Sequence, residues 1–245
     1  AFCLSNREKT KTCRYFAVVK GKSVTVEEVF PAGFFVNGVD IGTHTSGEGW
    51  SYGNHVLTLS AKGTYVLSGL ATNDEVQIAM AEDDVTAVLS NAVVFTSGRP
   101  ALTVADDKDV QLQMKGGASY LATAEGVAAS QSVTVGAKAN LGIGLAPGGN
   151  RTEAAIAVFN SGAAPAIGGS GAVKAQGGTL LVWSEQRASA APFSHDAGTM
   201  MMAAGDDPET ARYVGSYTDE KLLAVAPALT VTVKDGIPNA EDIAV

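Results

Sequence analysis

Apolar and polar residues alternate in short runs over residues 75–117, and the runs repeat. The first unit has an apolar run at 76–80, an acidic corner at 82–84 and a second apolar run at 85–89. A second unit repeats this order about 25 residues later, over residues 101–114. Alternating runs of this length indicate short strands rather than helices. The spacing therefore predicts short strands that stack on one another.

Stacked strands of this kind predict an all-β right-handed parallel β-helix, a solenoid with extensions at both ends. Each coil of short strands buries its inward face only when it has neighbours above and below. An antiparallel β-sandwich of the pilus or jelly-roll type remains the alternative fold. We expect a tight hairpin at Asn37-Gly38, since this dipeptide favours the type I′ turn between apolar residues.

Composition and charge narrow the classes of partner. The chain has 245 residues, of which 46% are hydrophobic and 17% charged, with a net charge of −8. No basic stripe interleaves with aromatic residues, so we expect no nucleic-acid partner. No apolar run is long enough to predict a transmembrane helix. The many small residues suit a narrow β structure.

Several short motifs recur in the style of stacked coils, at residues 37–41, 49–52, 57–59, 65–69, 154–156, 166–171 and 176–180. These motifs resemble right-handed, pectate-lyase-like β-helix modules of bacterial cell-surface proteins, some of which are carbohydrate-binding. The resemblance covers roughly residues 35–205 and carries no catalytic signature. It implies the β-helix fold and a polysaccharide ligand.

Three segments are predicted. Residues 1–34 form a basic N-terminal arm or cap, residues 35–205 the β-helix domain, and residues 206–245 a C-terminal region of loop, strands and tail. Cys3 and Cys13 are close in sequence, and we expect a disulfide between them; two free thiols are the alternative. A disulfide and a chain that begins at Ala1 suggest a secreted or cell-surface protein.

The acidic corners could bind Ca²⁺ if neighbouring coils brought their carboxylates together, since calcium takes six to eight oxygen ligands. Solvated turns, in which Asp bonds to nearby backbone, are the alternative reading. We expect no cofactor other than Ca²⁺ at these corners. The candidate ligands are Asp83, Asp84, Asp106, Asp107 and Asp109.

Trp50 and Tyr52 are the candidate carbohydrate-binding residues, because aromatic rings stack on sugars and both lie in a glycine-rich loop. Asn150 begins an Asn-Arg-Thr triplet, which matches the N-glycosylation acceptor pattern. The three histidines are isolated, and Arg99 lies between the acidic corners with nothing to fix it over a substrate. We therefore predict no catalytic residue.

The function we expect first is an extracellular structural or adhesive protein that self-associates head to tail, as a homo-oligomer or a filament. A solenoid has two open ends, and a head-to-tail contact would pair them. The alternative is a cell-surface module that binds polysaccharide, and a polysaccharide lyase ranks third.

Overall fold

A computed structural model describes residues 33–204, except for 73, 125–129, 151–153 and 185–186, and short strands on either side of this range. The described residues form strands and turns and no helix, so the all-β prediction is confirmed. No helix among them is long and apolar enough to cross a membrane.

The first nine strands run from the N-terminus to the start of the repeats. They are β1 (Phe2–Cys3), β2 (Tyr15–Lys20), β3 (Ser23–Glu28), β4 (Phe34–Val36), β5 (Val39–Asp40), β6 (Ser46–Gly47), β7 (Trp50–Gly53), β8 (Val56–Leu59) and β9 (Gly63–Ala71).

The next eleven strands form the repeating part, and four short strands follow. They are β10 (Gln77–Met80), β11 (Val85–Ser97), β12 (Leu102–Val104), β13 (Asp109–Gly116), β14 (Ala118–Ala124), β15 (Val133–Val135), β16 (Asn140–Leu145), β17 (Ala155–Asn160), β18 (Ile167–Gly169), β19 (Ala172–Ser184), β20 (Phe193–Ala204), β21 (Val214–Thr218), β22 (Lys221–Val225), β23 (Val233–Lys234) and β24 (Ile237–Pro238).

Two sheets of mainly parallel strands make up the body. In the larger sheet, the pairings close six parallel strands into a barrel, in the order β11, β13, β16, β19, β17 and β14. Strands β9 and β20 pair with β11 and β19, and β4 and β5 extend the sheet beyond β9. The second sheet has the order β18, β15, β12, β10, β8, β7 and β6.

The predicted right-handed parallel β-helix is therefore wrong, because the parallel strands close into a barrel with a second sheet. The antiparallel sandwich is also wrong, because most pairings in the body are parallel. The physical reason lies in β11 and β19, each of which continues through a bend as one long strand. The first half of β11 pairs with β13 and its second half with β14, and this double pairing closes the barrel.

The predicted strands and their spacing are present. Ile78 pairs with Leu102 and Thr86 with Gln111, so that strands from successive repeats lie side by side in parallel. The Asn37-Gly38 hairpin is confirmed: β4 and β5 are antiparallel, and both turn residues have positive φ, as a type I′ turn requires.

Aliphatic side chains from both sheets form one continuous core. Paired positions in neighbouring strands of the second sheet carry Leu57, Ile78, Leu102, Val133 and Ile167, all fully buried. Rows of branched aliphatic side chains in register give close packing with little side-chain entropy to lose.

A second buried row is polar and crosses the ends of four barrel strands. Its members are Thr96, Thr123, Asn160 and Ser184, and each is hydrogen-bonded. The Thr96 hydroxyl donates to the Arg99 carbonyl, and the Asn160 amide donates to the Ser130 carbonyl. These side chains donate hydrogen bonds to backbone carbonyl groups where the chain leaves the barrel. The corners therefore leave few buried polar groups unpaired.

The segments outside the body form small antiparallel sheets, β1 to β3, β21 with β22, and β23 with β24. The domain boundaries at 34 and 205 stay predictions. Cys13 lies outside the described residues, and so does the disulfide predicted between Cys3 and Cys13.

Candidate functional site

The outward side of β13, β16 and the first part of β19 is polar and carries a groove. Here outward residues alternate with buried ones, as Lys174 and Gln176 alternate with Val173 and Ala175. Two cavities, of about 410 and 630 Å³, meet at Gln176. We call the two together the β16 groove. The first cavity is lined by Asp109, Val110, Gln111, Asn140, Leu141, Gly142, Ala172, Lys174, Gln176 and Ser194.

The floor of the groove is Gly142, which belongs to a strand of alternating character. In β16, Leu141 and Ile143 point into the core, whereas Asn140, Gly142 and Gly144 are the outward positions. Strand β16 lies between β13 and β19, whose outward positions carry long side chains. The two glycines leave space over β16 that long side chains of the neighbouring strands can reach.

Two carboxamides lie directly over this floor. A Cβ atom added to Gly142 would lie 2.3 Å from Gln111 Oε1 and 2.6 Å from Gln176 Oε1. Neither side-chain amide makes a hydrogen bond within the described part of the chain. Each amide therefore has donors and acceptors that no described protein group uses.

The charged groups of this first cavity are already engaged. Lys174 Nζ lies 2.7 Å from Asp196 Oδ2, and the Asp109 carboxylate accepts a hydrogen bond from the Asn140 amide. The side chains of Lys174 and Asp196 are about half exposed, which makes this a surface ion pair. The engaged charges leave the neutral amides as the available polar groups.

Glycines form the other end of the groove. The second cavity is lined by Leu145, Ala146, Gly148, Gly149, Gln176, Gly177, Gly178, Thr179, Ala197, Gly198 and Thr199. Gly178 and Gly198 have φ values of +75° and +90°. These bends occur within β19 and β20, and they expose backbone and the hydroxyls of Thr179 and Thr199 to the cavity.

The predicted aromatic pair lies elsewhere and is split between core and surface. Trp50 is 5% exposed and belongs to the core, with its indole against Gly47. Its ring therefore has no free face for a sugar. Tyr52 is half-buried and donates a hydrogen bond of 2.7 Å to the Glu75 carbonyl. Burial and the Glu75 carboxylate raise the pKa of Tyr52. A sugar contact at Tyr52 stays a prediction.

The carboxylates proposed for calcium are occupied by protein donors at two of the corners. Asp83 accepts from the Asp109 backbone N–H at 2.9 Å, and Lys108 lies 2.8 Å from Glu82. The hydrogen bond from Lys108 lowers the pKa of Glu82, and the backbone bond from Asp109 lowers that of Asp83. These contacts tie one corner to the next.

The remaining carboxylates also contact protein donors. Asp84 pairs with Lys62 at 2.7 Å, and Asp107 lies 3.8 Å from Lys138. Asp106 accepts the Ala137 backbone N–H at 2.7 Å. Among the residues described, no group of three or more His, Cys, Asp and Glu side chains could hold a metal ion. Calcium binding at these corners stays a prediction, and a cation there would have to displace the protein donors.

Arg99 is held at one side of the barrel by Asp74. Its guanidinium donates to the Asp74 carbonyl, and Nε lies 3.6 Å from Asp74 Oδ1. Asp74 also accepts from the Ser97 backbone N–H. These contacts give Arg99 a structural role. His195 lies near the groove, with Nε2 2.9 Å from the Gly198 carbonyl.

Asn150 is exposed beside the glycine end of the groove, and its backbone N–H donates to the Lys115 carbonyl. The rest of its triplet, residues 151 and 152, lies outside the described residues. Glycosylation at Asn150 stays a prediction.

Comparison with known proteins adds no name to this site. No family model, no curated protein and no solved structure matches the chain. The sequence analysis missed Gln111, Gln176 and the floor at Gly142. The signal was present in residues 140–145, Asn-Leu-Gly-Ile-Gly-Leu, where glycine occupies two of the three outward positions of a strand.

Proposed function

We propose that this protein is a polysaccharide-binding module and that the β16 groove holds the glycan. One observation carries the proposal: the carboxamides of Gln111 and Gln176 converge over Gly142 and have no hydrogen-bond partner among the residues that the structure describes. A sugar hydroxyl both donates and accepts, and a carboxamide offers the matching groups in one plane. Amides without protein partners can exchange water for a sugar without first breaking an internal bond.

The shape of the groove supports the same function. Its two cavities follow one another through Gln176, so the site is elongated rather than a closed pocket. An elongated, open site suits a chain of repeating units better than a single small molecule. The flexible ends of the Gln111 and Gln176 side chains lie over the glycine floor, where such a chain would contact them directly.

The test is a binding measurement with a soluble polysaccharide panel and matched glutamine variants. The double variant Gln111→Ala/Gln176→Ala should lower affinity by roughly tenfold or more, since two hydrogen-bonding groups are lost. Gln77→Ala is the control, because Gln77 is a half-buried glutamine on β10 in the other sheet. Binding that survives the double variant unchanged would refute the site. Wild-type protein that binds no member of the panel would refute the function.

Head-to-tail self-association is the second candidate, and the difference between the two ends of the body favours it. At the N-terminal end, the antiparallel strands β4 and β7 pair with β9 and β8. At the other end, β20 has a ladder pairing with β19 alone among the described strands, and β21 lies beside it without pairing. An unpaired strand edge is a template for a strand of another chain.

Sedimentation of the full chain and of a variant lacking residues 1–22 tests this second candidate. If the N-terminal strands of one copy pair with β20 of the next, the full chain should form large species and the truncated chain should be a folded monomer. A full chain that remains monomeric at high concentration would remove the candidate, and so would a truncated chain that still polymerises.

A further inference from the structure

The charges of the lining side chains indicate which class of ligand the β16 groove binds, and this inference rests on the proposed function. In the described lining, Asp109 and Lys174 are the only charged side chains of the two cavities. Lys174 is paired with Asp196 at 2.7 Å, so its ammonium group is already neutralised by a carboxylate. Binding of an anionic sugar there would require this pair to separate.

An acidic polysaccharide carries one carboxylate or sulfate on most of its sugars and needs repeated cationic partners. Such partners are arginine or lysine side chains that make charge-assisted hydrogen bonds. Arg187 lines an adjoining cavity of about 370 Å³ together with Ser194, and it is a single cation at the end of the site. The net charge of −8 further opposes the approach of a polyanion.

The other polar groups of the lining are neutral. Gln111, Asn140 and Gln176 supply amides, and Ser194, Thr179 and Thr199 supply hydroxyls. Such groups pair with hydroxyls on either side of a hydrogen bond and carry no charge to be compensated. From this lining we infer that the β16 groove selects a neutral, hydroxyl-rich polysaccharide and discriminates against polyuronates.

Selectivity of this origin can be weakened at one residue. Asp196 neutralises Lys174 and is not itself part of the lining of the two cavities. The variant Asp196→Asn removes the partner carboxylate and leaves a free ammonium group at the groove. Affinity for a polyuronate should then rise, whereas affinity for a neutral glycan should stay the same.

The experiment compares mixed-linkage β-glucan and galactomannan with polygalacturonate and alginate by affinity electrophoresis, each with calcium and with a chelator. The wild type should bind at least one neutral glycan roughly tenfold or more tightly than either polyuronate. That binding should be unaffected by salt between about 50 and about 500 mM, because no ion pair forms. Asp196→Asn should raise polyuronate binding several-fold.

The outcomes separate this inference from the function on which it rests. Tighter binding of a polyuronate, with or without calcium, would overturn the neutral class while leaving a polysaccharide-binding module. Unchanged polyuronate affinity in Asp196→Asn would show that the Lys174 pair does not set the selectivity. Binding to none of the four polymers would overturn the proposed function itself.

Discussion

Strand β19 has two outward faces of opposite character. Its first part carries Lys174 and Gln176, which are exposed. Its second part carries Leu181 and Trp183, which are buried although they lie outside the central core. Phe159 pairs with Trp183 and is also buried. Tyr120 is buried as well, and it pairs with the residue that lies opposite Leu181. One strand thus contributes to a solvent-exposed surface and to a buried one.

The two faces of β19 differ in what they contribute, one to stability and the other to binding. The apolar face contains the Phe159 and Trp183 rings, with centroids 6.4 Å apart, and its burial contributes to stability. The polar face holds no large apolar side chain over the β16 groove and contributes little to stability. Its residues are therefore free to serve binding. Substitutions on the two faces should have separable effects on folding and on ligand affinity.

The largest expected effect comes from a charge on the apolar face. Leu181→Asp should lower the free energy of unfolding by about 3–4 kcal/mol, because it deletes buried apolar contacts and buries a carboxylate without a partner. Lys174→Ala, on the polar face of the same strand, should change it by less than about 0.5 kcal/mol. Urea denaturation measures both. Equal losses would mean that the two faces do not differ in burial.

The bend between the two faces should be the next most sensitive point. Gly178→Ala should cost about 2 kcal/mol, because φ is +75° and the new Cβ would lie 2.2 Å from Met114 Sδ. Gly142→Ala is the comparison on the floor of the groove, where the nearest atoms are the flexible ends of glutamine side chains. It should lower glycan affinity more than stability. Thermal melts and binding curves of both variants decide this.

Alkaline pH should weaken the apolar face through Tyr120. Burial raises the pKa of Tyr120 from the usual 10.0 to about 12. The folded state therefore holds the phenolic proton more tightly than the unfolded state, and stability falls as pH rises above about 10. The loss should reach about 1.4 kcal/mol near pH 11. Tyr120→Phe should abolish this part of the pH dependence, and urea midpoints from about pH 9 to about pH 11 that match the wild type would contradict it.

The smallest effect is expected at the acidic corners. The pKa values of Glu82 and Asp83 are lowered in the folded state, so their contribution is present above the unfolded values near 4 and is lost as pH falls further. Lys108→Ala should make stability depend less steeply on pH in this acid range. Lys138→Ala is the control, since Lys138 is exposed and lies 3.8 Å from Asp107. Identical acid profiles for wild type and Lys108→Ala would refute the link.

The strands of the body could be predicted from sequence because they alternate in the ordinary way. The apolar runs at 76–80 and 85–89 became β10 and the start of β11, and the Asn37-Gly38 turn formed as expected. Closure of the barrel could not be predicted. It depends on strands that bend at Asn91 and Gly178 without ending, and positive φ at these residues is not visible in hydrophobic periodicity.

The candidate site was harder to predict than the strands. Trp50 was assigned to a sugar site because it lies in a glycine-rich loop, but Gly47 leaves room for its indole to pack into the core. The β16 groove was not predicted because glycine forms its floor, and a missing side chain gives no signal in a hydrophobic pattern. Its amides come from β13 and β19, which are far apart in sequence and meet only through β16.

The side-chain amide resonances of Gln111 and Gln176 provide the most direct test of the groove. A neutral gluco-oligosaccharide should be titrated into the labelled protein and followed by NMR. The account predicts shifts at these two amides and at backbone amides of β13, β16 and β19, with none around Trp50 and Tyr52. Shifts confined to the Trp50–Tyr52 loop or to the face that holds Tyr120 and Trp183 would contradict it, as would saturating binding that leaves both glutamines unchanged.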